Sequence, residues 1–312
     1  MISVLLPTYN GEKYIAEQIE SLLSQTFQDF IVYIRDDRSS DKTYSIIQEF
    51  AGKNPGKFII SRNEKNTGES KINYFNMMID HKDDYVMLCD QDDVWLPDKI
   101  EKSLKKIREA EGIYGLQTPM LVYTDLTVVN ENLKITAHSY EKTANKNFEK
   151  NSINSAVTMN NAAGCTSIYN RALAEKITGI PEFYVMHDWW IYLTASCLGK
   201  PCVIRESTIL YRQHGDNDSG AKNVLSLNYI RNILSNLNKP ASMINDSYRQ
   251  AGAFLKMYKN DLTGEKAELL YSYASLSKAS RIKKIRTIIR YKTFLHGIAR
   301  KVFQIIILLF YP

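Results

Sequence analysis

Cysteine is scarce in this sequence, with four residues among 312. No two of them form a Cys-x-x-Cys pair, the spacing found in many zinc and redox sites. Each lies in an apolar or mixed segment, which is typical of reduced thiols in a cytosolic protein. The four are Cys89, Cys165, Cys197 and Cys202.

Long apolar runs are also missing. A membrane-spanning helix needs about 20 consecutive apolar residues, and the apolar stretch Ile305–Phe310 near the C-terminus is far shorter. The opening residues MISVLLPTYNG read as a short strand that runs into a turn, without a preceding basic segment. We therefore expect neither a signal peptide nor a spanning helix.

Acidic residues are absent after Glu268, whereas nine lysines and arginines follow it. Without these nine, acidic residues slightly outnumber basic ones, so the net charge of +6 comes from the tail. The body is therefore not expected to bind nucleic acid. From about residue 278, basic and apolar residues mix as in an amphipathic helix lying on an anionic membrane. The alternative is a C-terminal helix that packs on the body or on a second subunit of a homodimer.

Strand-like and helix-like segments alternate through the first half of the chain. The third predicted helix carries Ile72, Phe75 and Ile79 on its inward face. This alternation predicts an α/β fold with a Rossmann-like, mostly parallel sheet flanked by helices. Ligands bind such sheets at the carboxyl ends of the strands. The predicted strands cover residues 2–6, 30–34, 57–61 and 85–90.

The second half of the sequence is less regular. Residues 120–130 read as a pair of strands, residues 136–155 as a mobile polar loop and residues 185–199 as a helix. From about residue 224 the sequence is mostly helical. We therefore expect one domain over residues 1–220 and a helical C-terminal region over residues 221–312.

Three carboxylates follow the fourth predicted strand in the stretch VMLCDQDDVW, namely Asp90, Asp92 and Asp93. Like charges this close repel one another, so packing them together does not stabilise the fold. Ions such as Mg²⁺ bind carboxylate oxygens and complete their shell with substrate phosphates. The stretch therefore favours a metal site; the alternative is a solvated loop in which Asp93 caps the next helix.

Other polar segments are expected at the same edge of the sheet. Asp36 and Asp37 end the second strand in RDDRSSDKT, and Tyr9 follows the first strand, where a nucleotide base could stack. Lys71 follows Asn-Thr-Gly, a segment that offers backbone N–H groups and a cation. Each segment alone is ordinary loop chemistry. Their order and spacing together are far more specific.

The successive segments PTYNGEKYIAEQIESLLSQTF, DDRSSDKT, NTGESK and DQDDVWLPDKI resemble family 2 glycosyltransferases with a GT-A fold. The resemblance covers about residues 1–220, with a nucleotide-sugar half at about 1–110 and an acceptor half at about 111–220. DQDDVW, HDWW and YRQHGDN are most similar to the bacterial rhamnosyltransferase branch, which builds cell-wall or capsular polysaccharides. The QxxRW signature of processive relatives does not occur, which favours single additions.

The resemblance implies roles for the residues at the nucleotide end. Pro7, Tyr9 and Asp37 match positions that hold the base, with Asp37 accepting from the pyrimidine N3–H. Lys71 lies near the position of an arginine in many relatives and is expected to contact base or phosphate. The metal-binding Asp-x-Asp is matched by Asp90, nearer the ribose, and by Asp92, the direct ligand.

The resemblance also implies a sugar site and a base. Asn161 and Gly164 match a turn near donor sugar and acceptor, and Asp93 is expected to contact either sugar. Asp188 matches the catalytic base, although His-Asp replaces the commoner Glu-Asp pair. An apolar wall of Trp189 beside it would raise the carboxyl pKa, and the indole could stack on a sugar. The alternative is a helix N-terminal aspartate with core tryptophans.

The segment YRQH places Arg212 and His214 after a strand. Either side chain could meet the diphosphate, and His214 could be a third metal ligand beside Asp90 and Asp92. The alternative is a surface or structural role for both. The glycine-containing segment beyond His214 is expected to close over the donor as a lid.

The resemblance thus implies an inverting glycosyltransferase that depends on Mg²⁺ or Mn²⁺. We expect it to move a sugar, L-rhamnose from dTDP-L-rhamnose in the first place, to a lipid-linked glycan. It would act in the cytoplasm at the inner face of the bacterial membrane. A galactosyl- or glucosyltransferase using a UDP-sugar is the alternative. A nucleotidyltransferase usually has a glycine-rich basic phosphate loop near its N-terminus, and none is present here. The presence of both the Asp-x-Asp and Asp188 argues against a catalytically silent glycan- or membrane-binding module.

Overall fold

The structure of the protein is a computed structural model that describes residues 1–215 and 237–310. Both the predicted domain boundary near residue 220 and the predicted lid beyond His214 lie outside the described residues. Among the helices of the described ranges, none combines the length and the apolar character that a bilayer crossing requires.

Two compact units make up the described chain, and each contains several separate stretches of sequence. The first unit consists of Met1–Ser139, Ala162–Ile180 and the segment that begins at Gly199. The second consists of Tyr140–Asn161, Pro181–Leu198 and the C-terminal helices. A linear division of the chain therefore does not describe the units, because two internal stretches cluster with the C-terminal helices.

The first unit is built on one sheet, to which the described residues contribute nine strands in the order β3-β2-β1-β4-β8-β6-β9-β5, with β7 pairing with β6. The predicted halves at about 1–110 and 111–220 share this sheet. The strands are β1 (Ile2–Thr8), β2 (Phe30–Asp36), β3 (Phe58–Arg62), β4 (Tyr85–Leu88), β5 (Val94–Trp95), β6 (Met120–Asn130), β7 (Ile135–Ala137), β8 (Ile168–Asn170) and β9 (Lys200–Gln213).

Parallel pairing dominates one end of the sheet and confirms the predicted α/β fold. Strands β3, β2, β1 and β4 run parallel, so their carboxyl ends share one edge. Strands β8, β7 and β5 join by antiparallel pairs. The edge formed by the ends of β1, β2, β3 and β4 is hereafter the carboxyl edge, and the predicted nucleotide residues follow these strands.

Helices of the first unit bury apolar stripes against the sheet. Helix α1 buries Ile15, Ile19 and Leu22, at the spacing expected for one helix face. On the predicted inward face of α3, Phe75 is buried, but Ile72 and Ile79 are only partly buried, and Tyr74 and Met78 are buried in their place. These helices are α1 (Ile15–Leu23), α2 (Thr43–Lys53), α3 (Ser70–Asp80), α4 (Lys99–Tyr114) and α7 (Arg171–Ala174).

Residues 120–130 form one strand, and the predicted strand pair is wrong. All but the last residue of β6 are buried, with β8 on one side and β9 on the other. The pairing with β9 shifts register on both sides of Asp125. Polar residues therefore stand in the middle of a long interior strand. In the sequence alone they look like a turn between two strands.

The predicted mobile loop over residues 136–155 is also wrong, because the C-terminal helices hold this segment. Imidazole Nδ1 of His296 accepts the N–H of Asn147 at 3.2 Å, and its Nε2 lies 2.5 Å from Oγ of Ser155. The Arg300 guanidinium donates to the carbonyl oxygens of Ala144 and Asn145 at 2.7 and 3.0 Å. We call these contacts the brace of the second unit.

The second unit is helical. Trp190 of α8 is fully buried against Phe254 of α9, with ring centroids 5.3 Å apart. The helices of this unit are α5 (Tyr140–Thr143), α6 (Ile153–Ala156), α8 (His187–Leu198), α9 (Asn238–Met257), α10 (Gly264–Ala274), α11 (Arg281–Tyr291) and α12 (Ile298–Phe310).

Candidate active site

The carboxylate of Asp37, just beyond β2, holds the loop between β3 and α3. It accepts the backbone N–H of Thr67 at 2.9 Å, the Thr67 hydroxyl at 2.6 Å and the side-chain amide of Asn63 at 2.6 Å. The side chain is 4% exposed. Asp37 thus orders the loop before α3, the helix whose first turn contains Lys71, and its contact with a nucleotide base stays a prediction.

Tyr9 is the exposed aromatic residue at the carboxyl edge. It follows β1 directly and is 49% exposed, as a ring that stacks on a base must be. Pro7 lies inside β1 and is buried, paired in register with Arg35 of β2. Lys71, in the first turn of α3, pairs with Glu69 at 2.8 Å. Base or phosphate contacts of all three predicted residues stay predictions.

Asp90 lies just beyond β4 and is held by a residue that the sequence did not indicate. The Tyr74 hydroxyl of α3 lies 2.5 Å from Oδ1 of Asp90 and 2.8 Å from the carbonyl oxygen of Cys89. Burial, followed by the charge of Asp90, raises the pKa of Tyr74 well above its usual value. The hydroxyl therefore stays protonated and acts as a donor to this half-buried carboxylate. A correct inward face for α3 would have indicated Tyr74.

Asp92 and His214 converge from distant parts of the sequence. Antiparallel pairing of β5 with β9, in the register Val94 to Leu210, brings the chain before β5 beside the chain after β9. Nε2 of His214 lies 2.8 Å from Oδ2 of Asp92. The imidazole also packs on the ring of Tyr14, with centroids 4.8 Å apart. The structure thus joins two residues that were predicted as metal ligands.

Arg212 is buried among protein partners, and its contact with the diphosphate stays a prediction. The side chain is 2% exposed, and its guanidinium donates to the carbonyl oxygens of Asp92 at 2.8 Å and Glu131 at 2.6 Å, and to the Glu17 carboxylate. Its backbone N–H donates to Oδ1 of Asp93 at 3.0 Å. Arg212 thus holds the chain at Asp92 and Asp93 in place.

Asp93 is fully buried and does not cap the next helix, and its contact with a sugar stays a prediction. Burial raises its pKa well above the usual value, and the neighbouring Asp92 and Asp90 raise it further. Lys99, also fully buried, has its pKa lowered to about 8 by burial. Helix α4 begins after Asp98 without a side-chain cap.

The donor set suits a divalent cation. Asp90, Asp93 and Cys165 place ligand atoms within 4.8 Å of one another, but burial raises the pKa of Cys165 and keeps its sulfur a neutral thiol. A buried thiol is a poor ligand for a hard ion. The carboxylate of Asp92 and the imidazole of His214, with Asp90 nearby, fit Mn²⁺ or Mg²⁺ better.

Asp188 is the second residue of α8, in the second unit. It is half-buried, and Oδ1 accepts the N–H of Trp189 at 2.6 Å. Burial lowers the pKa of the preceding His187 to about 3, so this imidazole is neutral. Trp189 is 7% exposed, and its indole N–H donates to the carbonyl oxygen of Ala156 at 2.6 Å. This packing accounts for Trp189, whose contact with a sugar stays a prediction.

The turn predicted near the sugars is divided between the units. Asn161 is 1% exposed and donates its side-chain amide to the carbonyl oxygens of Asn147 and Lys150 at 3.0 and 3.1 Å. It therefore orders the second unit. Gly164, in the first unit, begins a buried turn of 3₁₀ helix, Gly164–Thr166. Sugar contacts at both residues stay predictions.

The carboxyl edge, with an Asp-x-Asp after β4 and parallel strands on one side, defines a GT-A fold. Solved structures agree. S. aureus TarS 1–349 in complex with UDP superposes with a TM-score of 0.54 at 18% identity, covering 94% of this chain and 92% of that one. Its UDP-GlcNAc complex gives a TM-score of 0.52 at 17% identity, with coverage of 94% and 88%. Identity this low shows the fold alone.

Sequence comparison identifies the family. The model of glycosyl transferase family 2 matches residues 3–178, and the chain belongs to that family. The chain is similar to dTDP-rhamnosyl transferase RfbG of Shigella flexneri, with 26% identity over 72% of this chain and 77% of that protein. It is 34% identical to Escherichia coli chondroitin synthase over 35% of this chain and 16% of that protein. The protein is thus a glycosyltransferase.

Proposed function

We propose that the protein transfers L-rhamnose from dTDP-L-rhamnose to a hydroxyl group of a lipid-linked glycan, with inversion at the anomeric carbon. The observation that carries this proposal is the convergence of Asp92 and His214, whose Oδ2 and Nε2 atoms are 2.8 Å apart. Similarity to RfbG, at 26% identity, supports the choice of donor.

The metal site would serve the leaving nucleoside diphosphate. Asp92 and His214 would hold a divalent cation, which would supply positive charge against the leaving diphosphate. An imidazole beside carboxylates favours Mn²⁺ over Mg²⁺. The chain itself orders these ligands, because Arg212 fixes the loop at Asp92 and Tyr74 orients Asp90.

Asp188 would accept the proton of the attacking acceptor hydroxyl, which is a weak nucleophile without a base. The N–H of Trp189 orients Oδ1 of this half-buried carboxylate. Neutral, buried His187 adds no competing positive charge beside it. Attack on the face opposite the leaving group needs no covalent intermediate, so one base suffices.

A panel of donors tests the donor assignment. The purified protein is incubated with dTDP-L-rhamnose, UDP-galactose and UDP-glucose, and release of nucleoside diphosphate is measured with Mn²⁺, with Mg²⁺ and with EDTA. Metal-dependent release from dTDP-L-rhamnose is expected. Release from a UDP-sugar instead would assign a galactosyl- or glucosyltransferase. Binding of donors without any release, also when acceptor glycolipids are supplied, would indicate a catalytically silent module.

We further propose that the protein reaches its acceptor through helices α11 and α12, which lie on an anionic membrane surface. One side of α12 exposes an apolar stripe at helical spacing, and α11 adds two isoleucines around the exposed Arg286. No acidic residue occurs in either helix, so the face matches anionic lipid in charge. The apolar face comprises Ile282, Ile289, Ile298, Val302, Ile305, Leu309 and Phe310.

Sedimentation with vesicles tests this face without truncating the brace. The triple variant Ile298→Ser, Ile305→Ser and Phe310→Ser should lose binding to phosphatidylglycerol vesicles that the wild type retains. The matched control, Ile113→Ser with Leu116→Ser, removes residues that are 74% and 69% exposed in the first unit and should bind normally. Unchanged binding of the triple variant would refute the proposal. Loss of a dimer in that variant would instead assign the face to a second copy.

A further inference from the structure

Gln91, the middle residue of Asp-x-Asp, makes a reciprocal pair of hydrogen bonds with Tyr9. Its Oε1 accepts the backbone N–H of Tyr9 at 2.9 Å, and its Nε2 donates to the Tyr9 carbonyl oxygen at 2.9 Å. A side-chain amide that binds both groups of one residue imitates the pairing between two strands. The N–H of Cys89 donates to the carbonyl oxygen of Leu5. Beyond this hydrogen bond, the Gln91 side chain links the chain after β4 to the chain after β1.

Gly11 leaves room for this contact. A Cβ atom at Gly11 would lie 2.5 Å from Oε1 of Gln91 and 2.9 Å from Nε2, so any larger residue would displace the amide. Asn10, between Tyr9 and Gly11, has a φ of 45° and donates its N–H to Oγ of Ser39 at 3.0 Å. The turn after β1 is thus fitted around the Gln91 amide.

We infer that Gln91 is a positioning residue. It fixes the position of Tyr9 relative to the proposed metal ligands Asp90 and Asp92, which flank Gln91 in the sequence. This inference rests on the proposed function, in which the diphosphate meets a metal at Asp92, and on the predicted stacking of the base on Tyr9. A donor nucleotide spans both points. Setting their separation in advance removes an ordering cost from donor binding.

The role differs from that of a metal ligand. Loss of the two hydrogen bonds should raise KM for the donor about tenfold, because each is worth a factor of a few in binding. The turnover number should change less than about twofold, since neither carboxylate is altered. If Gln91 had only a structural role, its loss would lower the stability of the fold and would not raise KM while leaving kcat nearly unchanged.

The test uses Gln91→Met, which keeps the length of the side chain and removes both hydrogen bonds. The matched control is Gln48→Met, at an exposed position of α2. Hydrogen exchange at the Tyr9 amide is measured first and should be at least about tenfold faster in Gln91→Met alone. Unchanged exchange overturns the inference, whatever the kinetics. The exchange measurement needs no donor, so it distinguishes failure of the Gln91–Tyr9 contact from failure of the proposed function.

Kinetics with the active donor follow. A raised KM with retained kcat in Gln91→Met supports the inference, and an unchanged KM overturns the positioning role. Gly11→Ala should raise KM to a similar extent, because its Cβ displaces the amide. The double variant should then be no worse than either single variant. Additive effects of Gly11→Ala and Gln91→Met would also overturn the inference.

Discussion

Nε2 of His214 lies 2.8 Å from Oδ2 of Asp92, across 122 positions of sequence. The pair depends on antiparallel pairing between β5 and β9, not on local sequence. Asp90, two positions before Asp92 in the sequence, is oriented by Tyr74. A site assembled in this way is tested residue by residue.

His214→Ala removes one proposed metal ligand and should weaken Mn²⁺ binding in the presence of nucleoside diphosphate by roughly 10- to 100-fold. Calorimetric titration with Mn²⁺ measures this change, and high Mn²⁺ should restore part of the activity. Exposed His138 provides the control His138→Ala, which should bind Mn²⁺ normally. Equal Mn²⁺ affinity in both variants would exclude His214 from the metal shell.

Asp188→Asn should lower kcat by about 10²- to 10⁴-fold, because an amide cannot accept the acceptor proton. The amide oxygen can still accept the N–H of Trp189, so the fold and donor binding should be retained. Steady-state rates and donor titrations measure the two properties separately. A variant with full rate would show that another group is the base.

Arg212→Met should lower the free energy of unfolding by roughly 3 kcal/mol, since it leaves buried partners unsatisfied. Denaturant unfolding compares it with Arg205→Met, an exposed position on the same strand where the change should be within about 0.5 kcal/mol. If Arg212→Met instead kept its stability and lost donor affinity, that result would support the contact with the diphosphate predicted from the sequence.

The brace predicts a pH dependence of stability. Burial lowers the pKa of folded His296 to about 4 from its usual 6.5, assisted by nearby Lys150, Lys146, Arg300 and Lys301. Between these values the unfolded chain binds more protons, so stability rises with pH and is lost as pH falls from about 6.5 to 4. The slope from one such group is at most about 1.4 kcal/mol per pH unit.

Unfolding by denaturant at pH 7.5, 6, 5 and 4.5 measures this dependence. His296→Gln should flatten the profile, while His138→Gln, at an exposed position, should follow the wild type. His187 titrates in the same direction, but its contribution is common to all three proteins and cancels in the comparison. Parallel profiles for wild type and His296→Gln would refute the assignment.

The sequence was sufficient for the fold class and for most of the carboxyl edge. Apolar periodicity located the parallel strands, and residues directly after a strand end can occupy few other places. Tyr9, Asp37, Asp90 and Asp92 therefore lie on this edge as expected. Their contacts with ligand remain to be measured.

Side-chain direction was not predictable. Arg212 lies near the end of β9 and is buried, whereas His214 follows the strand and pairs with the Asp92 side chain. Asp93 follows Asp92 directly and points into the core. The pairing of β9 decides these directions, and such long-range register leaves no trace in local sequence.

The brace has a consequence for how this tail can change. Gly297 has a φ of 78°, and a Cβ there would lie 2.4 Å from Nδ2 of Asn145. His296 and Arg300 on either side bind the same internal segment. Substitutions at 144–155 and at 296–300 should therefore occur together among homologous chains. A chimaera that exchanges only the last thirty or so residues should fold poorly unless the matching internal segment is exchanged with them.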